Sequence, residues 1–162
     1  MTVRTKPPIT TVAEAYDCAL TKLSYRDHSQ QDLEGKLRMR QCSQEIIDQV
    51  VLKLKDYNLI NEENYGNKVY KAWVAKKYYG RGHLRLTLLK KQVDRALIDT
   101  IVNGLTSEEE EARALDFARK CLKKSPAKFA LANEKGRGNL VRALANRGFC
   151  GDIIKKTSKQ LE

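Results

Sequence analysis

Apolar residues recur along the chain at the three- and four-residue spacing of amphipathic helices. The first such stripe contains Val12, Ala15, Ala19 and Leu23, which fall on one face of a helix. No segment has the sustained alternation of a half-buried strand, and no Asn-Gly or Asp-Gly turn joins β-branched runs. The pattern predicts a helix from about Val12 to Tyr25, and it predicts an all-α protein.

Short polar residues precede the next two stripes and mark helix starts. Ser29 stands before a stripe with Leu33 and Leu37, and Ser43 stands before a stripe that begins at Ile46. A serine hydroxyl at this place accepts hydrogen bonds from the first free amides of a helix. Three helices are therefore predicted before residue 61.

The same order of features then occurs twice more. A shift of 51 residues matches positions of the first unit to the second, and a shift of 56 continues them into a third. The matched sets are Leu33, Leu84 and Leu140; Leu37, Leu88 and Leu144; Ile46, Leu97 and Ile153; Ile47, Ile98 and Ile154. Units of this size cannot bury their apolar stripes alone and must pack on a neighbour. We expect three tandem three-helix repeats, over 12–60, 61–105 and 106–162, in an elongated, curved array after a flexible segment 1–11.

Three details of this map can be checked individually. The fourth helix, capped by Asn61, is expected to reach about Tyr79, where a Gly80-Arg81-Gly82-His83 segment breaks it. The Gly136-Arg137-Gly138 segment is expected to act as a similar break. The five extra residues of the third copy, around 126–131, should lengthen the connection between its first two helices.

These motifs resemble the RecX family of bacterial regulatory proteins. The likeness covers about residues 12–158 and is carried by Tyr25-Arg26-Asp27-His28-Ser29, Leu59-Ile60-Asn61-Glu62-Glu63, Gly80-Arg81-Gly82-His83-Leu84-Arg85 and Leu88-Leu89-Lys90-Lys91-Gln92-Val93. Asn61 replaces the usual aspartate, and both residues cap helices. Gln41 and Gln92 stand where the family usually has glycine, whereas Gly148 keeps it.

The resemblance implies a protein that binds the RecA recombinase, as monomer or as filament on DNA, and modulates it. The implied effect is inhibition of recombinase, ATPase and coprotease activities in DNA repair, homologous recombination and the SOS response. Direct binding of single- or double-stranded DNA is expected to be weak and without sequence preference.

Charge supports a polyanionic partner independently of the resemblance. The 162 residues include 31 Lys and Arg against 20 Asp and Glu, a net charge of +11, which is more than solubility requires. Residues 1–60 carry +1, whereas residues 61–105 and 106–162 carry +5 each. The working surface is therefore expected in the second and third units.

Within those units, basic residues cluster around the two glycine segments. We name the predicted binding residues the basic strip: Lys76, Lys77, Arg81, Arg85, Lys90, Lys91, Lys123, Lys124, Lys135, Arg137 and Arg142, with Lys120 and Lys128 nearby. Equivalent bends of successive units would place both groups on one concave side, able to follow phosphates or an acidic groove. The alternative is that they are ordinary solvated helix faces.

Other chemistry has little support. His28 and His83 lack ligands at metal spacing, and the glycines lack the Lys-Ser/Thr of a phosphate-binding loop. No nucleophile with a nearby base is evident, so we expect no metal, no cofactor and no enzyme. Tyr78 and Tyr79 could stack on bases or pack, and Trp73 is expected in the core.

Two further expectations complete the sequence interpretation. The absence of a signal peptide or long apolar run, together with four scattered cysteines, favours a cytosolic, reduced, monomeric protein without membrane contact. The alternative function is a stand-alone DNA-binding protein or transcriptional regulator that uses one unit as a helix-turn-helix. Against it, the helix that begins near Arg95 is dominated by Ala96, Leu97, Ile98 and Ile101.

Overall fold

The structure is a computed structural model that describes residues 7–161, and these residues form nine α-helices without a β-strand. The helices are α1 (Val12–Tyr25), α2 (Gln30–Arg38), α3 (Gln44–Asp56), α4 (Glu62–Val74), α5 (Arg81–Lys90), α6 (Arg95–Asn103), α7 (Ser107–Lys124), α8 (Glu134–Asn146) and α9 (Gly151–Leu161). The predicted all-α fold is confirmed, and so are the predicted bounds of α1.

Helix starts lie where the capping residues predict them. The side chains of Ser29 and Ser43 accept hydrogen bonds from the third residue after each of them, as do those of Asn61 and Thr106. Thr106 also forms a full capping box, because the Glu109 carboxylate accepts from the Thr106 amide in return. Since each cap satisfies an amide that has no partner in the helix, four starts are fixed by local sequence.

Two predicted helix breaks are wrong in position. α4 ends at Val74, not near Tyr79, because Lys77 adopts a left-handed conformation with φ of 55° that cannot continue a helix. The Gly136–Gly138 segment lies within the first five residues of α8 and not in a break. Gly136 is needed for close packing there, since a Cβ would lie 2.1 Å from the Ala130 carbonyl oxygen.

The longer connection in the third unit is confirmed. It runs over residues 125–133, between α7 and α8, whereas residues 26–29 suffice between α1 and α2. Phe129 in this connection is buried in the third core. The extra residues therefore add apolar contacts.

The second helix of each unit ends in the same hydrogen-bonded turn. Its left-handed residue is Gln41 (φ 59°), Gln92 (φ 55°) or Gly148 (φ 81°). In each case the following amide donates to the carbonyl of a core leucine, as Cys42 does to Leu37. The left-handed residue also donates a hydrogen bond, as the Gln41 amide does to the Arg38 carbonyl. A turn with these two hydrogen bonds is a Schellman motif, and it redirects the chain into the third helix.

Three separate apolar cores follow one another along the chain. The first contains residues of α1–α3, the second those of α4–α6 and the third those of α7–α9. We call these helix triplets units 1, 2 and 3. The densest helix packing lies within a unit, as expected of a repeat array.

Part of the N-terminal segment predicted to be flexible is packed. Residues 1–6 lie outside the described residues. Ile9, however, is buried in the first core, and its amide donates to the Arg40 carbonyl at 3.0 Å. Burial of this apolar side chain holds the segment on unit 1.

Candidate binding surface at the junction of units 2 and 3

Units 2 and 3 are joined backbone to backbone at three glycines. The amides of Gly80 and Gly82 donate to the carbonyls of Arg147 and Gly148, each at 2.9 Å. A Cβ on Gly148 would lie 2.3 Å from the His83 nitrogen, and one on Gly80 would lie 2.6 Å from the Gly148 oxygen. Only glycine permits this approach, so the two units are held in a fixed relation.

Arg81 and Glu110 form the polar centre of the junction. Glu110 is 1% exposed and accepts a hydrogen bond from the Arg81 amide at 2.8 Å. The Arg81 guanidinium donates to the Leu105 carbonyl and lies 3.5 Å from the second oxygen of Glu110. Since a buried carboxylate needs compensating partners, Arg81 belongs to the junction and its charge is already partnered.

Arg113 of α7 closes the same junction from unit 3. Its guanidinium lies over the Trp73 ring, 4.2 Å from the ring centroid, and its Nε donates to the Tyr79 carbonyl at 3.0 Å. A guanidinium over an indole face is a favourable cation–π contact. Trp73 itself is fully buried, which confirms the prediction that it packs in the core.

His83 lies at the edge of the junction among positive charges. The Trp73 indole N–H donates to its Nδ1 at 3.0 Å, and the Tyr79 ring lies against it at a centroid distance of 4.0 Å. Burial lowers the pKa of His83 first, and the positive charges of Lys76, Lys90 and Arg147 lower it further. The ring is therefore neutral at neutral pH.

Arg147 connects this group to a second basic group on unit 3. Its guanidinium lies 4.6 Å from the Tyr79 centroid and 4.8 Å from the Phe117 centroid. The Lys120 ammonium lies over the neighbouring Tyr78 ring at 4.3 Å. We name the resulting surface the junction strip; it consists of Lys76, Lys90, Arg147, Lys120, Lys124 and Lys128.

The thiol of Cys121 lies close to the unit 3 part of the junction strip. Burial raises its pKa, while nearby positive charges oppose the rise. The charges that act on it are those of Arg147, Lys120, Lys128 and Lys124. Arg147 thus acts on both His83 and Cys121, so the basic groups of the two units meet at this residue.

The structure brings together only part of the predicted basic strip. Lys76, Lys90 and Lys124 belong to the junction strip, with Lys120 and Lys128. Arg81 is committed to Glu110, and Arg85 pairs with Asp99 at 2.6 Å. Lys77 is exposed in the turn after α4.

The other predicted residues lie elsewhere. Lys91 lines a cleft of about 240 Å³ together with Arg26 and Asp32 of unit 1, and Lys90 of the junction strip lies at the same cleft. Lys123 is exposed, about 100° around α7 from Lys124. On α8, Lys135 is exposed, while Arg137 donates to the Leu131 carbonyl and Arg142 to the Asn139 side chain.

Arg147 is the functional candidate that sequence reasoning missed. A signal was present, because Arg40, Lys91 and Arg147 occupy the same place in the three units, directly before the left-handed residue. A basic residue repeated directly before the left-handed turn residue of each unit could have been selected. The contact with Tyr79 could not be read from that pattern.

Tyr78 and His28 both have partners within the described part of the chain. Tyr78 packs in the third core against Phe117, so packing rather than base stacking describes it. His28 is buried, and its Nδ1 lies 2.6 Å from the Asp32 carboxylate. Although burial opposes it, hydrogen bonds from Lys36 and His28 lower the pKa of Asp32 to about 2.

Within residues 7–161 there is neither a metal-ligand cluster nor a membrane-spanning helix. No group of three or more His, Cys, Asp or Glu side chains there could hold a metal ion. None of the helices described is both long enough and apolar enough to cross a membrane.

Comparison with known proteins identifies the family. Residues 15–54 match the model of the first three-helix domain of RecX. The chain is similar to the regulatory protein RecX of Streptomyces lividans, with 28% identity over 159 residues, 96% of this chain and 81% of the relative. Its fold is that of the RecX crystal structure from Lactobacillus salivarius, at a TM-score of 0.79 and 23% identity, with 93% of this chain and 96% of the other covered.

A second relative decides the assignment. The regulatory protein RecX of Chlorobium phaeobacteroides strain BS1 is 31% identical over 148 residues, which span 91% of this chain and 93% of the relative. With a match of this identity over nearly the whole of both proteins, the chain belongs to the RecX family of regulatory proteins.

Proposed function

We propose that this protein binds the RecA recombinase, as monomer and as filament on DNA, and restrains its recombinase, ATPase and coprotease activities. The observation that carries the proposal is the junction strip, which spans two units locked together at Gly80, Gly82 and Gly148. Family membership supports a regulatory role without catalysis. A fixed basic surface is suited to a partner that presents repeated anionic groups.

The strip favours filament binding over sequence-specific DNA binding. Base readout needs a helix with several free polar side chains. On α6, Ile98 is buried, Leu97 and Ile101 are half-buried, and exposed Asp99 already pairs with Arg85. The charges of the strip instead come from turns and from several helices, which suits phosphate or acidic surfaces without sequence selection.

The direct test adds the purified protein to a preformed RecA filament on single-stranded DNA. Co-sedimentation and single-strand-dependent ATP hydrolysis are measured in parallel. Binding together with reduced hydrolysis is the expected result. Absence of co-sedimentation at low salt would contradict the proposal.

A charge-reversal set tests whether the junction strip makes the contact. Lys76, Lys90, Lys120 and Lys124 are changed to Glu; none of these lysines forms an ion pair within the described part of the chain. The matched control changes Lys55, Lys71, Lys155 and Lys159, which are exposed and equally without ion pairs there.

Both quadruple variants have the same net charge, so any difference between them reflects position. We expect the strip variant to lose filament binding and the control to keep most of it. Equal losses would mean that only net charge matters.

A salt series on naked DNA separates the alternative function. Phosphate contacts alone give weak binding that falls steeply with salt, whereas a filament offers several sites at once. We expect tighter and less salt-sensitive binding to the filament than to the same DNA without RecA. Tight, sequence-selective binding to duplex DNA with no gain from the filament would favour the transcription-factor alternative.

A further inference from the structure

The imidazole of His83 has one nitrogen engaged and one available. An indole N–H can only donate, so Nδ1 must accept the hydrogen bond from Trp73 at 3.0 Å. In the neutral ring the hydrogen then lies on Nε2. Within residues 7–161, Nε2 makes no hydrogen bond, and it is therefore a free donor with an assigned tautomer.

The orientation of this donor is fixed by packing. Trp73 is fully buried, and Tyr79 lies against the imidazole at 4.0 Å between centroids. The Thr87 hydroxyl donates to the His83 carbonyl at 2.8 Å. The backbone of His83 meets Gly148 across the junction. A donor held this firmly loses little entropy when it binds a ligand.

The charges around His83 are of one sign. Lys76 comes from the turn after α4, Lys90 from the end of α5 and Arg147 from the turn after α8, and all three act on the imidazole. None of the three forms an ion pair with a described residue. An oriented N–H donor surrounded by unneutralised cations has the chemistry of an oxyanion site.

Building on the proposed function, in which this basic surface contacts the RecA filament on DNA, we infer that His83 Nε2–H and the three cations around it bind one phosphodiester group. His83 supplies a directed hydrogen bond, and Arg147 supplies the planar donor group suited to phosphate oxygens. Lys76 and Lys90 supply charge. His83 acts in its neutral form, because protonation would break the hydrogen bond from Trp73.

A phosphodiester of a nucleic acid fits better than a free phosphate. Beyond Arg147, the junction strip continues over Lys120, Lys124 and Lys128. A group of several cations can contact successive phosphates of one strand, whereas a free anion would use only one place. His83 thus binds one phosphate of a strand whose other phosphates contact the rest of the junction strip.

The first test observes the two histidines of the unmodified chain. The protein is labelled with ¹⁵N-histidine, and imidazole shifts are followed while an oligodeoxythymidylate or inorganic phosphate is added. His28, buried against Asp32, is the internal reference. We expect His83 to show the Nε2–H tautomer and its Nε2 signal to move with the oligonucleotide, while His28 stays still.

The second test uses variants of the full chain and fluorescence anisotropy with the same oligonucleotide across a salt series. Lys76→Gln and Lys90→Gln should each reduce the slope of log affinity against log salt by about 0.7, the value for one single-strand phosphate contact. His83→Phe keeps an aromatic ring and removes the donor. It should weaken binding roughly three- to tenfold without changing the slope. Lys55→Gln and Lys159→Gln are the matched controls.

The outcomes separate this site from the filament function. A His83 signal unmoved by the oligonucleotide, or moved by inorganic phosphate alone, overturns the site even if the protein sediments with RecA filaments. The site is also overturned if Lys76→Gln, Lys90→Gln and His83→Phe lose no more affinity for the oligonucleotide than the two control variants. A His83 response without filament binding supports the site and contradicts the proposed function.

Discussion

The residue that ends the second helix of each unit adopts a left-handed conformation, although only unit 3 has glycine there. Gln41 and Gln92 hold φ values of 59° and 55°, and both are exposed. A non-glycine residue in this conformation costs about 1–2 kcal/mol. The Schellman hydrogen bonds of the two turns compensate for that strain.

Replacing these glutamines with glycine should therefore stabilise the protein. Gln41→Gly and Gln92→Gly relieve the strain but give the unfolded chain about 0.4–1 kcal/mol of extra entropy. We expect a net gain of about 0.5–1 kcal/mol each in the free energy of unfolding by urea. A loss of stability in both variants would contradict the assigned conformations.

Substitution of Gly148 should instead destabilise the protein. Gly148→Ala places a Cβ 2.3 Å from the His83 nitrogen at a φ of 81°, so strain and overpacking add to about 2–5 kcal/mol of lost stability. Gly138→Ala is the control, because nothing lies within 4 Å of its added Cβ and α8 favours alanine there. The two substitutions should change the urea midpoint in opposite directions.

The pH dependence of stability should depend on His83. Its folded pKa is lowered from the usual 6.5 by burial and neighbouring positive charges, so the unfolded chain takes up the proton more readily. Stability contributed by neutral His83 is present above about pH 6.5 and is lost as the pH falls through the folded pKa. Thermal unfolding from pH 7.5 downward should show a steeper decline for the unmodified protein than for His83→Gln. Parallel curves would contradict the lowered pKa.

At the scale of helices, local sequence predicts starts better than ends. The starts of α2, α3, α4 and α7 follow from capping side chains within three residues. The end of α4 depends also on tertiary structure, because the left-handed turn at Lys77 is followed by Tyr78, which packs on Phe117 of α7. Periodicity alone could not locate that partner.

The candidate site was likewise predicted only in part from local sequence. Charge patterning selected units 2 and 3 and the residues Lys76, Lys90 and Lys124, because composition is visible in sequence. It could not exclude Arg81, whose partner Glu110 is 29 positions away. Nor could it find the role of Arg147, which depends on Tyr79 and His83 across a junction between units.

Arg81 and Arg85 provide a comparison of two arginines on α5. Arg81→Gln keeps the backbone hydrogen bond to Glu110 but removes the guanidinium, which donates to the Leu105 carbonyl and lies 3.5 Å from this carboxylate that is 1% exposed. Because a hydrogen bond from a charged group contributes about 1.5–3 kcal/mol, we expect a loss in that range. Arg85→Gln breaks an exposed pair with Asp99 and should cost less than about 1 kcal/mol. Urea unfolding of both variants measures the difference; equal losses would mean that Glu110 does not need Arg81.

For the whole molecule, the separate cores predict an extended shape. A compact chain of this length has a radius of gyration of roughly 15 Å, and three cores in a row should exceed that value. Small-angle scattering measures it, and a value close to roughly 15 Å would contradict the extended array. The division at 60/61 and 105/106 stays a prediction that proteolysis can test.

The two junctions between units differ in construction. Units 2 and 3 share backbone hydrogen bonds and the ion pair between Arg81 and the buried Glu110. Units 1 and 2 are linked by an exposed ion pair between Lys68 and Asp27 and by a hydrogen bond from the Gln30 backbone amide to the Glu62 carboxylate. A cleft of about 800 Å³ also opens between them, with Gln30 and Leu97 among its lining residues. From this contrast we expect unit 1 to move more freely than units 2 and 3 move against each other.

Hydrogen exchange can measure that contrast at single amides. Gly80, Gly82 and Gln30 lie at helix starts, where amides have no partner within their own helix. The amides of Gly80 and Gly82 are bonded across the second junction, and that of Gln30 across the first. We expect Gln30 to exchange through frequent local opening, while Gly80 and Gly82 exchange only when unit 2 or 3 unfolds. Lys68→Ala should accelerate exchange at Gln30 and leave both glycines unchanged. Equal protection at all three amides would mean that the chain moves as one body, and the proposed filament contact would then have to be made without adjustment of unit 1.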